Sequence, residues 1–198
     1  MKAYIIAMPC EAEAVRPALR SGDRLIVSGI GKVNAALATQ RAICEGADEI
    51  VNAGVSGGFD SSMRIGDVFE VHRAVQYDFD LAKLNGTRVG QLDEKDSPYF
   101  DLPALKHLAP GARIRTLATG DHFRDDDDDL PLLRELDVDL RDMEGAAVAQ
   151  VCEKNGVPCR IVKSVTNVQG QGTMTGQYKD NLARALRTLT EARMKEGE

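Results

Sequence analysis

The chain lacks several features that would assign it elsewhere. No apolar run approaches the ~20 residues a membrane span needs, so no transmembrane helix is expected. The opening MKAYIIAMPCEAEAV has only a short apolar run and no small-residue cleavage site. It reads as a first β-strand, and a cytoplasmic location is expected. There is no CxxC pair. Cys10, Cys44, Cys152 and Cys159 stand apart without metal-ligand spacing and read as small buried hydrophobes of a reducing compartment. Cys10 is notable for adjoining Glu11. His72, His107 and His122 are scattered, so no metal is expected. Basic residues are not in excess. The net charge of −6 is a poor basis for binding nucleic acid. No internal repeat and no linker divide the chain.

What is present is an ordinary globular composition, 43% hydrophobic and 28% charged over 198 residues. That suits one domain, residues 1–198, with a sizeable core. Strand-like and helix-like runs alternate, which predicts an α/β fold around a central sheet. Ala3 to Met8, Arg24 to Ser28, Glu49 to Ala53, Arg113 to Ala118 and Arg160 to Thr166 read as strands. Val138 to Leu140 reads as a short one, and Met63 to Gln76 as one or two more. Helices are expected over Glu11 to Leu19, Val33 to Cys44, Leu130 to Leu136 and Met143 to Lys154. In the second of these, Val33, Ala36, Leu37 and Cys44 share one face. A last helix carries Tyr178, Leu182, Ala185, Leu186 and Leu189 at helical spacing. Tyr77 to Phe100 reads as a long loop, and Gly170 to Gly176 as a flexible one. The five acids Asp125 to Asp129 read as a solvated loop.

Several segments then carry chemistry. They are Ala7-Met8-Pro9-Cys10-Glu11, Ser28-Gly29-Ile30-Gly31-Lys32-Val33-Asn34-Ala35-Ala36, and Asn52-Ala53-Gly54-Val55-Ser56-Gly57-Gly58 followed by Ile65-Gly66-Asp67-Val68. Next come Thr119-Gly120-Asp121-His122-Phe123, then Asp142-Met143-Glu144-Gly145-Ala146-Ala147 with Val157-Pro158 and the strand to Asn167. In this order and spacing the chain resembles the purine nucleoside phosphorylase and nucleosidase superfamily, and within it the 5′-methylthioadenosine/S-adenosylhomocysteine nucleosidases. The resemblance implies a three-layer α/β/α fold with a central mixed twisted sheet and cleavage of a purine nucleoside at its N-glycosidic bond. It also implies a homodimer and no cofactor. Ligands of open α/β sheets collect at the carboxyl ends of strands. Glu11, Gly54 to Gly58, Phe123 and Asn167 fall at such predicted ends.

Such cleavage passes through a ribose with oxocarbenium character. It needs an activated leaving base and a positioned nucleophile. By resemblance, Glu11 is the general base that activates water. Glu144 accepts hydrogen bonds from the ribose 2′ and 3′ hydroxyls, and Met143 packs under the sugar. Ser56 and Gly57 line the sugar side. Phe123 stacks on the purine, and Arg124 lies where the family contacts the base through its backbone.

The sequence departs from the family at one informative letter. The family's strand ends in Ser-Asp, whose Asp donates a proton toward N7 of adenine. Here Asn167 aligns with it. An amide cannot serve as that acid, but its NH₂ can donate to O6 of a 6-oxopurine. The expected substrate is therefore a 6-oxopurine or modified purine nucleoside, such as futalosine or a 7-deazaguanine nucleoside. The stretch from Glu11 to Gly31 is also shorter than in the family. Phosphorolysis is the alternative, since a phosphorylase needs basic groups to hold phosphate. Near the Gly-rich stretch only Arg16 and Arg64 are candidates, and Asn52 stands where phosphorylases carry Arg. Hydrolysis leads for that reason. A catalytically weak nucleoside-binding homologue is the third reading, kept open by Asn167.

Overall fold

The structure, a computed structural model, describes residues 1–102, 113–126 and 128–195. His107 and Asp127 lie outside the described residues. Among the described residues eight strands form one mixed sheet: β1 (Lys2–Ile6), β2 (Arg24–Val27), β3 (Glu49–Gly58), β4 (Val68–Gln76), β5 (Tyr99–Asp101), β6 (Arg113–Thr119), β7 (Leu140–Asp142) and β8 (Cys159–Val168). The pairs β3–β7, β7–β6, β6–β4, β4–β8 and β8–β3 close a ring. Strands β1 and β2 extend from β3, and β5 from β4.

The longer helices are α1 (Pro9–Val15), α2 (Lys32–Cys44), α5 (Gly145–Asn155) and α6 (Met174–Lys195), with short α3 (Ala82–Asn85) and α4 (Leu130–Glu135). Alternation along β1 builds the layers. Ala3 and Ile5 join the core with Ala35, Ala38 and Ala42 of α2 and Ala146, Val148 and Ala149 of α5. Tyr4 and Ile6 pack instead with Ala12 and Val15 of α1 and Leu189 of α6. A strand covered on both faces has to be apolar throughout, which is why AYII reads as an unbroken hydrophobic run. Among the described residues no helix is long and apolar enough to cross a membrane.

Several boundaries differ from the sequence reading, each for a physical reason. The helix expected over Glu11 to Leu19 ends at Val15 and continues as a 3₁₀ turn over Arg16–Ala18. Pro17 lacks an N–H and clashes with the preceding turn, so an α-helix cannot run through it. Strand β3 does not stop at Ala53. It runs to Gly58, because β8 pairs along its whole length and β7 at its end. The short strand is Leu140–Asp142 and the next helix starts at Gly145, which leaves Met143 and Glu144 between them. The stretch Tyr77 to Phe100 contains α3 and the start of β5, and α6 begins at Met174, inside the expected loop. Helix α2 is turned the other way. It buries Ala35, Ala38, Thr39 and Ala42, whereas Val33 and Leu37 are 78% and 69% exposed. Small residues are needed where α2 packs against α5, so its larger ones face out. Cys152 and Cys159 are buried as expected, but Cys10 and Cys44 are exposed.

Candidate active site

The carboxyl ends of β1, β3, β7 and β8 converge on one pocket of about 440 Å³. Glu11, Ser56, Gly57, Phe123, Met143, Glu144 and Asn167 all line it. Arg124 does not. Its guanidinium turns to Asp126, Asp128 and Asp129, and its carbonyl accepts from Arg141 NH2 at 3.4 Å.

Glu11 sits in the first turn of α1 and is 3% exposed. Two backbone donors hold it. Val55 N–H donates to Oε1 at 2.8 Å and Met8 N–H to Oε2 at 3.0 Å. The carboxylate occupies the space a side chain at residue 54 would need. A Cβ on Gly54 would lie 2.4 Å from Glu11 Oε1. The glycine in β3 is there for close approach, which is also why it does not break the strand. Burial raises the Glu11 pKa, opposed by the Lys163 charge and the two backbone N–H groups.

Lys163 is 2% exposed in the middle of β8 and pairs with Asp142 at 2.8 Å. Burial alone would lower its pKa, but the charges of Asp142, Glu144 and Glu11 outweigh that and raise it. Asp142 is tied at both oxygens. Oδ1 accepts from Thr119 Oγ1 at 2.6 Å, and Oδ2 accepts from Gly145 N–H at 2.8 Å as well as from Lys163. The Gly145 bond satisfies an orphan donor at the start of α5. Glu144 lies next to this pair, and its Oε1 accepts from Gly31 N–H at 2.9 Å. Burial and the Asp142 charge push its pKa to about 7, against Lys163 and the Gly31 bond.

Asn167 is 2% exposed at the other end of the pocket. Thr166 Oγ1 donates to its Oδ1 at 2.6 Å, which turns Nδ2 toward Met174 Sδ at 3.4 Å. Phe123 is half-exposed and meets Tyr178 edge to face, with ring centroids 5.7 Å apart. Tyr178 OH lies 3.5 Å from Met8 Sδ. Ser56 Oγ is buried in the pocket wall without a hydrogen-bond partner among the described residues.

Lys163, Arg141 and Tyr178 also belong to the site, although no motif marks them in the sequence. The signal for Lys163 was a lysine inside the apolar strand RIVKSVT, a place a charge occupies only when paired. Arg16 and Arg64, the expected basic candidates, are exposed and line no part of the pocket. The acidic run is more than a solvated loop. Asp129 accepts from His122 Nε2 at 2.9 Å when that ring is protonated there, and pairs with Arg124 and Arg141. Asp125 accepts from Thr175 N–H at 2.7 Å.

A mixed α/β sheet with a carboxylate-lined pocket at its strand ends defines a class, and the comparisons give it a name. The phosphorylase superfamily profile matches residues 23–192, and the chain belongs to that family. Within it, the chain is 34% identical over 159 residues to the 5′-methylthioadenosine/S-adenosylhomocysteine nucleosidase of Marinomonas sp. (strain MWYL1), covering 74% of this chain and 68% of the relative. Two solved structures from Helicobacter pylori share the fold. The 5′-methylthioadenosine/S-adenosyl homocysteine nucleosidase matches with TM-score 0.85 at 20% identity, over 98% of this chain and 96% of the other. The futalosine hydrolase of strain 26695 matches with TM-score 0.87 at 22% identity, over 99% and 96%. By the Marinomonas relative the chain sits among the nucleosidases of the superfamily.

Proposed function

We propose that this chain hydrolyses the N-glycosidic bond of a 6-oxopurine or modified purine nucleoside, such as futalosine or a 7-deazaguanine nucleoside. It does so as a cytoplasmic homodimer without a cofactor. The observation that carries the reading is Asn167, a buried amide whose Oδ1 accepts from Thr166 Oγ1 and whose Nδ2 donates to Met174 Sδ, in the pocket that also contains Glu11 and Glu144. Glu11 takes a proton from water as the water attacks C1′. Glu144 accepts from the ribose hydroxyls, and Met143 lies under the sugar. Ser56 Oγ has a free hydrogen bond to offer on the sugar side, next to Gly57. Phe123 covers the base. A site that donates at the base edge favours O6 over a 6-amino group, and such mismatches cost orders of magnitude.

Phosphorolysis is the less favoured reading. Lys163 is committed to Asp142, and two carboxylates near the nucleophile position repel phosphate. The homodimer reading is supported by the apolar residues that α2 and its approach leave in solvent, Ile30, Val33 and Leu37.

The test is base release from methylthioadenosine, S-adenosylhomocysteine, inosine, guanosine, futalosine and queuosine, without and with phosphate. Phosphate-independent release of a 6-oxo or deazaguanine base is expected, and Asn167→Asp should shift preference toward adenine nucleosides. Release of adenine from methylthioadenosine at an ordinary enzymatic rate would sink the Asn167 argument. Strict phosphate dependence would make the chain a phosphorylase. Tight binding without release would make it a binding homologue.

A further inference from the structure

Asn167 offers no acid to protonate the leaving base, and a cation, Arg141, lines the same pocket. In the sheet, Gly57 is in register with Arg141 of β7 on one side and with Asn167 of β8 on the other. Arg141 and Gly57 are antiparallel partners and project to the same side of the sheet. The β3–β8 register shifts between Ser56 and Gly57, so contact places the carboxamide there instead: a Cβ on Gly57 would lie 2.9 Å from Asn167 Nδ2. Arg141 is 9% exposed and lines the pocket. Its Cζ lies 5.4 Å from the centroid of the Phe59 ring. The guanidinium donates to Asp129 Oδ2 at 3.3 Å, to the Arg124 carbonyl at 3.4 Å and to the Tyr77 hydroxyl oxygen, three of its five N–H groups. The first two bonds are long for charge-assisted contacts. Asp129 is also shared with Arg124 and His122. A guanidinium carries five N–H donors, so donors remain for a ligand.

We propose that Arg141 activates the leaving base electrostatically, in place of the general acid that Asn167 cannot be. This rests on the nucleosidase reading above. Breaking the C1′–N9 bond sends its electron pair into the purine. With no acid at residue 167, the base departs as an anion whose charge spreads over the ring nitrogens and, in a 6-oxopurine, onto O6. A fixed cation in a buried pocket stabilises that charge more in the transition state than in the neutral ground state. The water oxygen bonds to C1′, one of its protons passes to Glu11, and the anionic base takes up a proton from Glu11 or solvent on release. Nothing is oxidised or reduced. The same cation makes the site selective for bases that carry negative charge well.

The experiment compares wild type, Arg141→Met and Arg141→Lys on the 6-oxopurine nucleoside that wild type cleaves and on its N7-methylated form. Methylation places a positive charge on the base, which then leaves neutral and needs no cation. Arg141→Met should lose about 10²–10³-fold in kcat on the unmethylated nucleoside and less than about tenfold on the methylated one. Arg141→Lys should recover most of the loss. Equal losses on both nucleosides, or no loss on either, overturn the proposal and leave the nucleosidase reading standing. Release of no base by wild type from any nucleoside overturns that reading and this one with it. If Arg141→Met shows no cooperative melting transition, Arg141→Gln carries the same comparison.

Discussion

Glu144 is the carboxyl group of the site whose pKa is raised to about 7, by burial first and by the Asp142 charge second. The ionised carboxylate offers both oxygens as acceptors to two hydroxyls, whereas protonation turns one of them into a donor. kcat/KM should therefore rise with pH through about 7 and then level off, and Glu144→Gln should give a low profile without that rise. A wild-type profile that is flat through this range would separate Glu144 from ribose binding. The same shift has a stability consequence. The folded-state value lies above the ordinary 4.5, so between the two the folded chain binds more protons than the unfolded one. The stabilisation is therefore present below about 4.5 and is lost as pH rises through about 7. Melting temperatures of wild type and Glu144→Gln, compared at about pH 5 and about pH 8, should show the wild type losing more. Glu11 gives a simpler test. Glu11→Gln keeps an acceptor for the Val55 N–H but cannot take a proton from water. kcat should fall about 10²–10⁴-fold with KM little changed.

Strand β8 carries both Lys163 and Asn167. Lys163 balances Asp142 and faces Glu144 and Glu11, all deep in the fold. Lys163→Met should cost about 3–5 kcal/mol, because it leaves buried carboxylates without their cation. Urea denaturation of the variant measures this, and an unchanged midpoint would mean the pair contributes nothing. Elements of this kind mark where the sequence could be read and where it could not. The buried strands announce themselves as continuous apolar runs, and Glu11, Glu144 and Asn167 are legible through the motifs around them. The length of β3 is not, because Gly54 looks like a stop until its neighbours on both sides are known. Arg141 is silent for the same reason. Its meaning lies in being in register with Gly57, and register is a property of the pairing, not of either strand. The orientation of α2 inverts the reading for a third reason. Periodicity finds a face but does not say which way it points, and the small residues that let α2 approach α5 carry little hydrophobic signal.

At the scale of the molecule, that outward face of α2 bears on assembly. Val33 and Leu37 are one turn apart, on the same side of the helix, and Ile30 stands at the pocket mouth, half-exposed. Exposed apolar residues grouped in this way mark contact surfaces. If two copies meet here, Leu37→Asp should convert a dimer to a monomer by light scattering while the far-ultraviolet spectrum stays the same. A wild type that is monomeric at micromolar concentration would remove the dimer from the proposal. The contact between Gly54 and Glu11 has a different reach. Since the carboxylate fills the volume a Cβ would need, residues 11 and 54 constrain each other. A methyl at 54 has to push the Glu11 carboxylate away from the Val55 and Met8 N–H groups that hold it. Gly54→Ala should therefore disarm the proposed base from a position that carries no functional group of its own.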